Sequence, residues 1–231
     1  RANMYRKSKW HPYYKATAPA VAYIAGKVAR KVVKHYVNTE FKHYDMDDIN
    51  LDIESDSTNG QCIHINPIPG GDSSEERNGD QVKTVSVRVQ GHVRANAQQG
   101  NEVKVMLCLK SENQDATNPA FSNFYDVTAS DGGALNASNL VNANRFLSRT
   151  SNLKVLKTWR RSIDPVKQRS YHFDLFHEFK NGNINRYGEG DTTGTIGNTR
   201  KGALFLIYIS DQDTDYFPTL KYVSRVRYID N

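Results

Sequence analysis

Two groups of residues in this 231-residue chain could do chemistry, and they point to different kinds of it. The first is Tyr171-His172-Phe173-Asp174-Leu175-Phe176-His177-Glu178. On a strand, His172, Asp174 and Glu178 would project from one side, where a His-x-Asp pair with a distant third ligand can hold a divalent metal. No histidine follows His177 and no His-x-His occurs, so the third ligand is missing from its usual place. The plainer reading is a polar strand face with aromatics behind it. Other catalytic spacings are absent: there is no G-x-S-x-G, no G-x-x-x-x-G-K-[ST] and no H-E-x-x-H. Gly194-Thr195-Ile196-Gly197 is a glycine pair in a loop and reads as a turn. No catalytic residue, no metal and no cofactor is expected, and the chain does not read as an enzyme.

The second group is cationic. Residues 1 to 44 hold ten Lys or Arg against one acid, Glu40. The whole chain has 31 basic and 25 acidic residues, so the net +6 divides into about +9 on this leader and about −3 on the rest. Charge held apart at one end addresses a polyanion more readily than it stabilises a fold. Arg6, Lys7, Lys9 and Lys15 are interleaved with Tyr5, Trp10, Tyr13 and Tyr14 in an extended arm. Cations of this kind neutralise phosphates, and aromatic faces such as Trp10 stack on unpaired bases. Between residues 18 and 37, Val21, Ile24, Ala25, Val28, Val32 and Tyr36 recur at helical steps, with Lys27, Arg30, Lys31 and Lys34 on a neighbouring stripe. Pro19 suits a helix's first turn. These nine residues (Arg6, Lys7, Lys9, Trp10, Lys15, Lys27, Arg30, Lys31, Lys34) form the expected nucleic-acid contact. A membrane surface fits less well, because the apolar stripe is mostly Ala and Val. The longest apolar run in the leader is also too short to span a bilayer.

Beyond the leader the period becomes two. Strands are expected near residues 50–54, 61–66, 83–94, 103–110, 153–162, 170–179, 203–210 and 219–230. In the clearest of them Val85, Val87, Val89 and Val93 share one face, with Ser86, Arg88, Gln90 and His92 on the other. A second basic set follows from the same alternation. Lys221, Arg225 and Arg227 share a face, as do Arg88 and Arg94, and a sheet surface turned toward nucleic acid is one reading beside an ordinary solvated face. Turn-rich stretches at 67–80, 111–144 and 181–201 are long enough to suggest contact-making loops. Cys62 and Cys108, each in an apolar stretch, read as buried free thiols. The fold class is all-β, a single jelly roll of two antiparallel sheets with about eight strands. It divides into a basic, genome-facing arm and amphipathic helix over 1–44 and a jelly-roll body over 45–231.

Ile68-Pro69-Gly70-Gly71-Asp72, then Arg77-Asn78-Gly79-Asp80-Gln81-Val82-Lys83 running into the valine strand, resembles the start of the jelly roll in small viral capsid proteins. It is similar both to coat proteins of the satellite tobacco necrosis virus type and to those of circular single-stranded DNA viruses that encode a replication initiator. The segments at 202–211 and 222–230 look more like the DNA-virus group. The basic leader matches as a type, with less charge than the dense arginine run that opens many such proteins. The resemblance implies a structural capsid protein that self-assembles into a small icosahedral T=1 shell of sixty copies and packages single-stranded nucleic acid, DNA in preference to RNA. It also implies residence in the virion, assembly in the host nucleus and no membrane partner. The alternative reading is a cellular jelly-roll binding module, or a degenerate metal-dependent enzyme, with a basic tail.

Overall fold

Among the described residues, alternating stretches and continuous apolar runs build eight strands, and their pairing order folds them into two layers. The computed structural model describes residues 40–54, 61–113, 117–129, 132–145, 152–212 and 216–230. The chain divides into two units, Arg1–Thr39 and Glu40–Asn231. The expected arm and helix, with all nine leader residues named above, lie outside the described residues.

The strands are β1 (Glu40–Asp52), β2 (Gln61–His64), β3 (Gln81–Arg94), β4 (Asn101–Glu112), β5 (Leu153–Ile163), β6 (Ser170–Tyr187), β7 (Thr199–Ser210) and β8 (Thr219–Asp230). All pair antiparallel. The first sheet runs β1-β8-β3-β6 and the second β2-β7-β4-β5. They join at one corner, where Arg186 and Tyr187 of β6 pair with Lys201 and Thr199 of β7. This interleaving of early and late strands is the jelly-roll order, an all-β sandwich as the sequence predicts. β1 reaches back to Glu40, so residues 40–44, expected at the end of the leader, belong to the sheet.

The main core lies between the sheets. Val87, Val89 and Val93 of β3 meet Val103, Val105 and Leu107 of β4, Phe173 and Leu175 of β6, and Leu204 and Leu206 of β7. Val85 departs from its expected place. A bulge between Thr84 and Ser86 shifts the register of β3 against both neighbours, so Val85 lines the outer face instead of the core. Gly91 is required by close packing, since a Cβ there would lie 2.1 Å from the Lys221 carbonyl oxygen and 2.9 Å from the Phe173 ring.

A second core sits on the far side of the second sheet. Met106, Cys108, Ala203, Phe205, Ile207 and Ile209 point away from the main core and meet Phe121, Phe124, Tyr125, Leu140 and Val141. The latter come from the long β4–β5 connection, through a 3₁₀ turn (Phe121–Asn123) and one short helix, α1 (Ala137–Leu140). Strands buried on both faces read as continuous apolar runs, which is why Ala203 to Ile209 does not alternate. Lys104 also enters this layer. Its Nζ donates to the Val141 carbonyl at 3.0 Å and stands 3.9 Å over the Tyr125 ring, and burial lowers its pKa to about 8. Cys108 is fully buried, Cys62 half-buried, and both are free thiols.

The segment that carries the viral resemblance has a structural role. Arg77 is buried, donates through Nε to the Ile68 carbonyl at 3.1 Å and through Nη2 to Asp191 Oδ2 at 2.9 Å, and stacks over Tyr187 at 4.2 Å. Beside it, Lys42 of β1 donates to Asp230 Oδ2 of β8 at 3.0 Å, and the Asn78 amide donates to the same oxygen at 2.6 Å. These two buried pairs tie the 68–80 loop to β1, β8 and the 188–198 loop. Gly194 allows the tie from the other side: its φ is +65°, and a Cβ would meet the Ile68 carbonyl oxygen at 2.4 Å. The Gly194–Gly197 stretch is thus a turn, as its composition predicts.

Candidate nucleic-acid interface

β3 and β8 are neighbours, so the two basic sets that the sequence separates by more than a hundred residues share one surface. On the outer face of the first sheet the register sets Arg225 opposite Arg88, and Lys221 opposite His92. One row runs Asp45–Arg225–Arg88–Phe176 across β1, β8, β3 and β6, and the next Asp47–Val223–Gln90–Asp174. A row further on, His92 faces His172.

Two of these arginines are held by carboxylates. Arg88 donates to both oxygens of Asp174, Nε at 3.1 Å and Nη2 at 2.6 Å. Arg225 donates to both oxygens of Asp45, at 2.8 and 2.6 Å. Each hydrogen-bonded guanidinium holds its partner's carboxyl below the usual carboxylate range. Arg227, Lys221 and Arg94 have no carboxylate within ion-pair distance among the described residues, and Arg227 stands 6.0 Å over the Phe41 ring. With Asp45, Asp47, Asp174 and Glu178 set against Arg88, Arg94, Lys221, Arg225 and Arg227, the face is close to balanced, and three of its bases and two of its acids stand outside ion pairs among the described residues.

Between the arginines lies a cleft of about 500 Å³, floored by Val85, Phe176 and Val223 and flanked by Arg88, Arg225 and Arg227. Phe176 is 49% exposed and Val223 57%. An exposed ring beside guanidinium groups can stack an unpaired base while the cations meet its phosphates. Sequence reasoning missed Phe176. The signal was there, since it alternates onto the same side as His172, Asp174 and Glu178 and is the one large apolar residue among them.

The metal reading of that strand meets a different geometry. Asp174 is engaged by Arg88 and, more weakly, by Gln90 at 3.4 Å. His177 points to the other side of β6, against Phe179 at 4.6 Å, and its pKa is lowered by burial and then by Lys157. Among the described residues no three His, Cys, Asp or Glu side chains gather as a ligand set. No helix among them is long and apolar enough to cross a membrane.

No family model matches the chain, and no curated protein matches it. Among solved structures, the infectious bursal disease virus VP2 subviral particle covers 83% of this chain at 9% identity with a TM-score of 0.14. The T13 viral particle of the same virus covers 84% at 11% identity, again with a TM-score of 0.14. The chain spans 42% and 40% of those two structures' own chains. Likeness this slight bears on neither function nor partners.

Proposed function

We propose that this chain is a viral coat protein, a structural protein without catalytic activity that builds a closed shell from copies of itself and holds single-stranded nucleic acid inside. The observation that carries the reading is the separation of charge: about +9 on the first forty-four residues and about −3 on a body that folds as a jelly roll. A body near neutrality packs against its copies without strong like-charge repulsion, while a cationic leader offsets genome charge. The outer face of the first sheet, near charge balance, adds Arg94, Lys221, Arg227 and the Phe176 cleft as a second, weaker candidate surface. The shell proposed is T=1, of about sixty copies, whose leaders would neutralise on the order of 540 phosphates by one-to-one pairing. DNA is the favoured genome, with the virion as the mature location and the host nucleus as the site of assembly.

The test is direct. Purified protein examined by sedimentation velocity and negative-stain microscopy should form closed particles or their subassemblies, and strictly monomeric behaviour across salt and concentration would end the reading. Changing Lys27, Arg30, Lys31 and Lys34 together to Gln should cut nucleic acid per particle, read as the ratio of absorbance at 260 and 280 nm, with the body still folded. DNase and RNase sensitivity of the released nucleic acid distinguishes the genome types. Unchanged nucleic-acid content would remove the helix from the interface.

A further inference from the structure

The two flanks of the sandwich carry opposite charge. β1 closes one side of the first sheet and β5 closes one side of the second. Trp159 of β5 packs 5.8 Å from Phe173 of β6, so β5 stands over β6, at the flank away from β1. Residues 45–54 contain Asp45, Asp47, Asp48, Asp52 and Glu54 and no base. Residues 153–169 contain Lys154, Lys157, Arg160, Arg161, Lys167 and Arg169 against Asp164 alone. Among the described residues, ion pairs within the chain take one member of each set, Asp45 with Arg225 and Arg160 with Glu102. Asp47, Asp52 and Glu54 on one flank, and Lys154, Lys157 and Arg161 on the other, are exposed without such a partner.

Both strands are also edges among the described residues, where β1 pairs with β8 alone and β5 with β4 alone. An open edge addresses another chain unless something blocks it. Each flank has apolar surface to bury: Phe41 and Ile49 are 59% and 63% exposed on β1, and Val166, in the turn after β5, is 90% exposed.

We infer that the β1 flank of one copy docks on the β5 flank of the next, a head-to-tail contact between unlike surfaces of the same chain. The inference rests on the self-assembly proposed above and says which surfaces carry it. Either flank meeting its own kind would oppose like charges, so the contact is heterologous, and heterologous contacts close into rings when the rotation permits. A nucleic acid could also meet the β5 flank, but it would be repelled by β1. A second copy accounts for both halves on one chain, each flank supplying the charge that the other lacks.

The experiment uses two full-length variants. Lys157→Glu with Arg161→Glu makes the β5 flank acidic, and Asp47→Lys with Asp52→Lys makes the β1 flank basic. Each alone should need at least tenfold more protein than the parent to assemble, measured by sedimentation velocity, whereas an equimolar mixture should assemble again because each variant supplies what the other lacks. Far-UV circular dichroism, and the milder Lys157→Gln with Arg161→Gln, guard against misfolding; the milder variant should assemble poorly while keeping the parent spectrum. Single variants that assemble like the parent, or folded variants that stay apart when mixed, would overturn the contact. So would normal shells of the Lys157→Glu, Arg161→Glu variant that have lost nucleic acid, which would give the flank to the genome. A parent chain that never assembles is a different result: it overturns the coat-protein reading first and this contact with it.

Discussion

The two sheets share a core and differ in what lies outside them. The second sheet is roofed by the β4–β5 connection, whose Phe121, Phe124 and Tyr125 make β4 and β7 interior on both faces. No described residue roofs the first sheet, and its outer face holds charged residues in cross-strand ion pairs with Phe176 and Val223 exposed among them. The contrast separates two jobs. Apolar area removed from water stabilises the roofed side, while the bare side keeps groups that can exchange an internal partner for an external one.

The sharpest test of that contrast compares two phenylalanines. Phe121 is fully buried and stacked on Tyr125 at 4.7 Å, so Phe121→Ala should cost about 3–5 kcal/mol in urea unfolding. Phe176→Ala, on the bare face, should change stability by only about 0.5 kcal/mol while weakening binding of single-stranded oligonucleotides. Equal costs would erase the distinction.

A second test uses pH on the roofed side. His64 of β2 packs 5.5 Å from Phe205, and burial lowers its pKa from 6.5 to about 4. A base whose folded pKa is depressed binds its proton more weakly when folded, so its contribution is complete above about pH 6.5 and is lost as pH falls toward 4. The loss should reach about 3 kcal/mol, seen as a falling urea midpoint across that window. His64→Leu should flatten the profile there, and an unchanged slope would remove His64 as its cause.

The smallest expected effect is on the bare face. Arg88→Gln with Arg225→Gln removes two exposed ion pairs and should leave the unfolding midpoint where it is, since such pairs add little. If the face meets nucleic acid, the same variant should bind oligonucleotides more weakly, with a shallower dependence on salt. A large loss of stability without any change in binding would make the face structural.

Much of the fold was legible because alternation is local. β2 to β8 start within four residues of where the sequence pattern puts them, and β2, β5, β6 and β8 start on the expected residue. β1 was legible only at its end, because its inward positions Lys42, Tyr44 and Met46 do not read as an apolar stripe. Lys42 looks like leader charge in the sequence and is instead buried against Asp230, 188 residues away. The 111–144 stretch looks like contact loop for the same reason: its Phe, Tyr and Leu residues are scattered with no period, and only the exposed back of the second sheet gives them a surface to cover. Val85 shows the limit within a strand, where one bulge overrides a perfect pattern.

From the chain alone came the charge division, the strand count and which side of most strands is apolar, since each depends on composition or on neighbours two residues apart. Tertiary structure decided the rest: that Arg88 lies beside Arg225, that Asp174 answers an arginine, that Arg77 is a buried tie, and that β1 and β5 end up on opposite flanks. Those facts depend on pairing order and register between distant strands, which the burial of two sheets against each other selects and no local spacing encodes.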